Sequence, residues 1–191
     1  VSLSLSHYCP TAASLLFLSF EGDLALRGLA LGDRLANAFF LAATPRTAGF
    51  NTVDYDAVSN PSLFLTIGLM WVGGPAGSTA GGVKTTTLAL LALLLLARLR
   101  GERSVSVQGR TVPPETIQRA VGLAVSSLFL LGALVFGLLV TELGVEGGPS
   151  DRGQLARLLF EAQSALGTVG LSMGVTPTLT PAGRLLVCAG M

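Results

Sequence analysis

The strongest constraint on this chain is a pattern used twice. TPRTAGFNTVD, Thr44 to Asp54, and ALGTVGLSMGV, Ala165 to Val175, are glycine-centred segments with matching surroundings. Setting Gly49 over Gly170 brings Phe39 over Phe160, Thr47 over Thr168, and Pro61 beside Pro181. Each segment follows a short amphipathic run and is followed, after a polar gap, by an apolar stretch. A unit of apolar stretch, half-helix, glycine loop and apolar stretch, repeated, is one supersecondary module used twice. Loops of this kind fit the backbone lining of an ion pore.

Composition says what surrounds them. Half of the 191 residues are hydrophobic and 12% are charged, against roughly a quarter charged in a soluble domain. The mean hydropathy is +0.67. Twenty-four glycines are tolerated in membrane helices, where neighbouring helices satisfy loosened backbone. A net charge of +1, with no basic patch interleaved with aromatics, gives no footprint for nucleic acid. Cys9 and Cys188 fit no metal or disulfide spacing. His7 is the only histidine, which removes most acid–base and metal chemistry. The class is an all-α integral membrane protein. Neither end reads as a natural terminus: the chain starts at Val1 without a methionine, and its last apolar run stops at Met191 in mid-stride; the opening run, without a basic n-region, is a poor secretory signal. The expectation is a fragment.

Taken in order, Ala12 to Phe20 reads as the end of a membrane helix that His7 and Pro10 keep from extending back. Glu21, Asp23, Arg27 and Asp33 make a polar connection, with Asp33 placed to cap the run Arg34 to Ala43. That run is half the roughly 20 residues a span needs, so it enters the membrane without crossing it. Pro45 ends it. Pro61 opens an apolar helix to Val72, which GGPAGSTAGGVKTTT, Gly73 to Thr87, breaks; apolar sequence resumes from Leu88 to Leu99. Non-helical backbone at that depth is allowed only inside protein or against a wet cavity. Arg98, Arg100, Arg103 and Arg110 mark a cytoplasmic connection. Pro113 and Pro114 start a helix whose segment Ile117 to Val140 is long enough to cross. Glu142, Glu146 and Asp151 suit the outer side. Leu155 to Leu166 is the second short run, and the final helix starts near Gly183. The divisions are residues 1–97, a connection 98–116, and 117–191.

Such loops suit a cation. Backbone carbonyls can replace a hydration shell without fixed charge, and Gly49 and Gly170 supply the positive φ that turns carbonyls toward one axis. Each half-helix aims its negative dipole end at the ion. Thr47, Thr52, Thr168 and Ser172 are placed to bond backbone or one another behind the loops. In the broken helix, small residues let backbone cross a pore without bulk, and a loop without regular hydrogen bonds moves cheaply. Lys84 is a functional candidate as an ionisable group at membrane depth, or a lysine snorkelling to the cytoplasmic face.

TPRTAGFNTVD, GGPAGSTAGGVKTTT, VPPETIQRA and FEAQSALGTVGLSMG, in this order, resemble the membrane subunit of the Trk/Ktr/HKT superfamily of potassium transporters, most of all its Ktr type. The resemblance runs from about Leu35 to Met191. It implies a channel-like transporter with four helix–pore-loop–helix units around one pore, of which residues 1–97 and 117–191 are similar to the third and fourth. It implies filter segments Thr47, Ala48, Gly49, Phe50 and Thr168, Val169, Gly170, Leu171, whose carbonyls alone hold potassium. It implies a gate beneath them, carried by Gly73, Gly74, Gly77, Ser78, Thr79, Gly81, Gly82 and Lys84. A homodimer in the plasma membrane, governed by a cytosolic nucleotide-binding ring, follows from the same resemblance. It implies potassium as the transported ion and no cofactor in this chain, with a sodium-selective relative as the alternative. Two loops cannot enclose a fourfold pore, so this stretch alone is not expected to conduct.

Other readings compete. GSTAGGVKT, Gly77 to Thr85, nearly matches a phosphate-binding loop, but Val83 separates Gly82 from Lys84 and no strand precedes it. Gly170 to Gly174 matches the hydrolase G-x-S-x-G, yet no Asp, Glu or His follows Ser172. An enzyme is not expected. Gly77 to Gly81 and Gly170 to Gly174 are also GxxxG patterns, so a non-conducting helical assembly subunit remains an alternative. It requires helices running straight through both glycine segments. An inverted-repeat carrier fits the broken helix but not the even number of crossings between the two loops.

Overall fold

The structure, a computed structural model, describes residues 2–22, 29–56, 58–74, 81–101, 106–107, 110–142 and 152–191. Seven helices carry the fold among these residues: α1 (Ser2–Glu21), α2 (Leu31–Ala43), α3 (Asn60–Trp71), α4 (Thr85–Leu99), α5 (Pro114–Glu142), α6 (Arg152–Leu166) and α7 (Pro181–Gly190). Between α4 and α5 the arginine-bearing connection forms a small antiparallel ladder, β1 (Ser106–Val107) with β2 (Arg110–Thr111), pairing Ser106 with Thr111 and Val107 with Arg110.

The repeat is carried by the helices themselves. The shift that puts Gly49 on Gly170 also puts the end of α1 at Glu21 on the end of α5 at Glu142. It puts the start of α2 on the start of α6, and the start of α3 on that of α7. Within the first unit α1 packs on α2 and α3; within the second α5 packs on α6 and α7. α3 against α6 and α4 against α5 join the two units.

α6 is the centre of the packing. Leu158, Ala162 and Ala165 join Val135, Leu138, Leu179 and Val187 in the core of the second unit. Phe160, from the same helix, enters the core of the first unit with Phe17, Leu41, Tyr55 and Met70. Its ring lies 5.1 Å from that of Tyr55, and the same burial pushes the Tyr55 phenol pKa up. Phe39, the residue matching Phe160, is 52% exposed.

Most boundaries follow local rules. Pro61 and Pro181 sit in the first turn of α3 and α7, where a missing N–H costs nothing. α2 stops at Ala43, just ahead of Pro45. Two expectations are corrected. His7 and Pro10 do not stop α1, which runs from Ser2 through both; a proline loses one helical bond, but membrane-type helices tolerate this. Asp33 is not the cap of α2. The helix starts at Leu31 behind an uncapped Ala30, and Asp33 falls in its first turn, where a negative charge still complements the dipole.

Among the described residues, α5 is the one helix long and apolar enough to cross a membrane. Among the described residues the polypeptide is not helical at 72–74, 81–84 or 169–180. α3 ends at Trp71 and α4 begins at Thr85, while residues 169–180 between α6 and α7 are irregular. Gly170 to Gly174 therefore lacks the straight helix that the GxxxG assembly reading requires, while Gly77 to Ala80 of the other pattern lie outside the described residues.

Candidate functional site

Both glycine loops have the same backbone signature. Thr47 has φ 70° and Gly49 φ 71°; Thr168 has φ 50° and Gly170 φ 86°. Ala48 and Val169, between them, are not left-handed. In extended backbone of one hand successive carbonyls point to opposite sides. Alternating the hand at every second residue swings them to the same side. Thr47 and Thr168 are the only non-glycine residues with positive φ among those described, and such a conformation persists only where its surroundings over-determine it.

Those surroundings are visible. In the first loop Thr44 Oγ1 donates to the Phe50 carbonyl at 2.8 Å, and the Ala48 N–H reaches the Thr44 carbonyl at 3.2 Å. In the second, the N–H groups of Gly167, Thr168 and Val169 are bound by the carbonyls of Gln163, Ala165 and Ser164 at 2.9–3.0 Å. The two loops meet at their glycines. A Cβ on Gly49 would stand 2.7 Å from the Val169 carbonyl oxygen and 3.8 Å from Gly170 Cα. Asn51 Nδ2 donates across to the Ser172 carbonyl at 3.1 Å. Val169 and Leu171 turn into the first unit's core, whereas the matching Ala48 and Phe50 are exposed, Phe50 at 71%.

Three buried carboxyl groups hold this frame, and none was singled out by sequence reasoning. Glu21 accepts from the Ser59 N–H at 3.0 Å and the Ser59 hydroxyl at 2.5 Å. Glu142 accepts from the Thr180 N–H at 3.0 Å and the Thr180 hydroxyl at 2.8 Å. Each therefore ties the end of its unit's first helix to the start of the last. The signal was present: the shift that aligns the glycines aligns Glu21 with Glu142 and Ser59 with Thr180. Glu142, expected in the acidic connection on the outer side, is 7% exposed, and Glu21 is fully buried. Gly183 leaves room for Glu142, since a Cβ there would overlap its Oε1. The third group, Glu161, accepts from Ser172, Met173 and Thr176 at the far side of the second loop.

The break between α3 and α4 lies against the second loop. Its base is closed by backbone pairs: Gly73 N–H to the Val83 carbonyl at 2.9 Å, Val83 N–H to Trp71 at 3.0 Å, and Thr85 N–H to Gly74 at 3.3 Å. Gly81 donates its N–H to Thr168 Oγ1 at 3.2 Å. A Cβ on Gly81 would meet the Gly167 carbonyl oxygen at 2.7 Å, so only glycine lets the segment come this close. Gly82 has φ +74°. Lys84 precedes α4, half-buried, beside a cavity of about 380 Å³ that Thr87, Ser127 and Gln163 also line. Gly77, Ser78 and Thr79 lie outside the described residues. Thr168 Oγ1 accepts the backbone N–H of Gly81 and Ser172 Oγ that of Gly174; Thr47 and Thr52 show no side-chain bond among the described residues. Among those residues no three His, Cys, Asp or Glu side chains converge to hold a metal ion. The arrangement offers ordered carbonyls, not a carboxylate cage.

Residues 2–191 match the family described as TrkH, cation transport protein. The potassium/sodium uptake protein NtpJ of Enterococcus hirae is 40% identical over 192 residues, taking in 100% of this chain and 42% of that protein. The Ktr system potassium uptake protein B of Bacillus subtilis is 35% identical over 170 residues, 89% of this chain and 36% of its own length. In fold, the crystal structure of the potassium transporter TrkH from Vibrio parahaemolyticus superposes with a TM-score of 0.62 at 21% identity. That match covers 98% of this chain and 40% of the other. The chain thus spans about two fifths of the length of these proteins.

Proposed function

We propose that this chain, which belongs to the TrkH family of cation transport proteins, supplies two of the helix–loop–helix units lining the ion path of a potassium-uptake transporter. The observation that carries this reading is the shared left-handed alternation at Thr47 and Gly49, and at Thr168 and Gly170, with the two loops meeting at the glycines. Carbonyls of Thr47 to Phe50 and of Thr168 to Leu171 then replace the hydration shell of the ion. α2 and α6 are the re-entrant half-helices, each delivering its negative end to a loop.

Exposure supports a ring of such units. Phe160, Val169 and Leu171 are covered by the first unit, while the matching Phe39, Ala48 and Phe50 are exposed. In a ring, the unit preceding the first would cover that face. Residues 1–97 and 117–191 are accordingly the third and fourth units of a plasma-membrane, multi-pass protein, with 98–116 on the cytoplasmic side. The segment from Gly73 to Lys84, closed at its base and docked on Thr168, is the gate beneath the filter. The whole protein works as a homodimer under a cytosolic nucleotide-binding ring.

Rubidium tracer uptake by the full-length protein, with potassium and sodium as competitors, tests this. A serine at position 170 meets the left-handed penalty of about 1–2 kcal/mol. Gly170→Ser is therefore expected to lower uptake about tenfold or to erase the preference of potassium over sodium. Uptake in which sodium competes better than potassium from the outset would make the protein a sodium-selective relative. Uptake and preference unchanged by the substitution would remove Gly170 from the ion path.

A further inference from the structure

Glu161 is a carboxyl group in the last half of α6, 4% exposed. Its Oε1 accepts from the Ser172 hydroxyl at 2.5 Å and the Met173 N–H at 3.2 Å, and its Oε2 from the Thr176 hydroxyl at 3.0 Å. The Ser172 hydroxyl oxygen also accepts the Gly174 N–H at 3.0 Å, and the Ser172 carbonyl accepts Asn51 Nδ2 from the first loop at 3.1 Å. One side chain thus fixes residues 172–176 and, through Ser172, the register of one glycine loop against the other. Ser172 follows Leu171 directly, so holding it holds the last carbonyls of the second loop.

The first unit has no carboxyl group at the matching position. Phe40 stands where α6 has Glu161, and the first loop closes on itself through Thr44 and Phe50. At this position the two copies differ in chemistry, an aromatic ring against a carboxyl group. Hydrogen bonds to a charged acceptor are about twice as strong as neutral ones. Deep burial strengthens them further, and a network with every member satisfied is rigid.

We propose that Glu161 is a positioning residue for cation selectivity: it sets the outer mouth of the second loop and, through Ser172 and Asn51, locks the two loops in register. This rests on the carbonyl-filter reading above. A loop held to one width favours an ion of one size, whereas a loop released from its anchor adapts to either. Selectivity is then what Glu161 controls, more than the capacity to pass ions.

The test is rubidium uptake by the full-length transporter, with potassium and sodium inhibition constants measured for wild type, Glu161→Gln, Glu161→Asp, Ser172→Ala and Gly170→Ser. In Glu161→Gln the ratio of the two constants is expected to fall toward one by about tenfold, the loss that follows removal of charge-assisted bonds to one carboxylate. Glu161→Asp recovers part of the ratio. Ser172→Ala keeps the contacts to Met173 and Thr176 and shifts the ratio the same way by less. A Glu161→Gln protein with the wild-type ratio, whatever its rate, overturns the proposal. Where that variant does not reach the membrane, a wild-type ratio in Ser172→Ala does the same. If Gly170→Ser also leaves both uptake and the ratio untouched, the filter reading itself has failed; if Gly170→Ser changes either of them, only the role of Glu161 has.

Discussion

Gly49→Asp is expected to abolish rubidium uptake by the full-length protein, a loss of at least about a hundredfold, or roughly 2.7 kcal/mol of barrier or binding. Two effects combine. The φ of 71° costs any residue with a Cβ about 1–2 kcal/mol, and the Cβ would stand 2.7 Å from the Val169 carbonyl oxygen. That neighbour is backbone of the opposite loop and cannot yield without moving the second set of carbonyls. Gly49→Ala carries both effects without the charge and should already lose most of the uptake. Gly170→Ala should lose less, because its Cβ would find nothing nearer than Gly49 Cα at 3.7 Å, leaving the φ penalty alone. Uptake normalised to protein in the membrane checks the order. Equal losses at the two glycines would mean that the contact at Val169 does not matter.

Gly73→Ala is the second large expectation. Its Cβ would overlap the Gly81 carbonyl oxygen and stand 3.1 Å from Gly81 C. The base of the break can accept it only by opening the pairs between Gly73 and Val83 and between Val83 and Trp71, each worth about 0.5–1.5 kcal/mol. Gly81 would then leave Thr168. As the proposed gate, the released segment should let rubidium pass without the regulatory ring, raising partner-independent flux about tenfold for a loss near 1.4 kcal/mol. Gly68→Ala, in the preceding helix with nothing within 4 Å, is the control and should leave flux unchanged. Flux through Gly73→Ala that still follows the ring would dissociate this base from gating.

What the sequence made legible was local. Proline at 45, 61 and 181 and glycine at 49 and 170 restrict the backbone wherever they stand, so the short helices α2 and α6 and the loops after them could be read directly. The exposed Asp33 competes only weakly for the cap, and helix packing on α1 outweighs the break expected at Pro10. Both depend on neighbours that periodicity does not reveal. The carboxyl groups were hidden for another reason. Glu21, Glu142 and Glu161 look like surface residues in sequence, and only the fold brings Ser59, Thr180 and Ser172 to them. The first two could still have been found, because they repeat with the glycines. Glu161 could not, since its counterpart is Phe40 and the repeat offers no signal where its copies differ.

Anomalous diffraction from crystals of the full-length protein grown in rubidium tests the central claim most directly. The expected result is rubidium density coordinated by the carbonyls of Thr47 to Phe50 and Thr168 to Leu171, lost in Gly49→Asp. Density away from both loops, among the helices or at a carboxyl group such as Glu161, would contradict it.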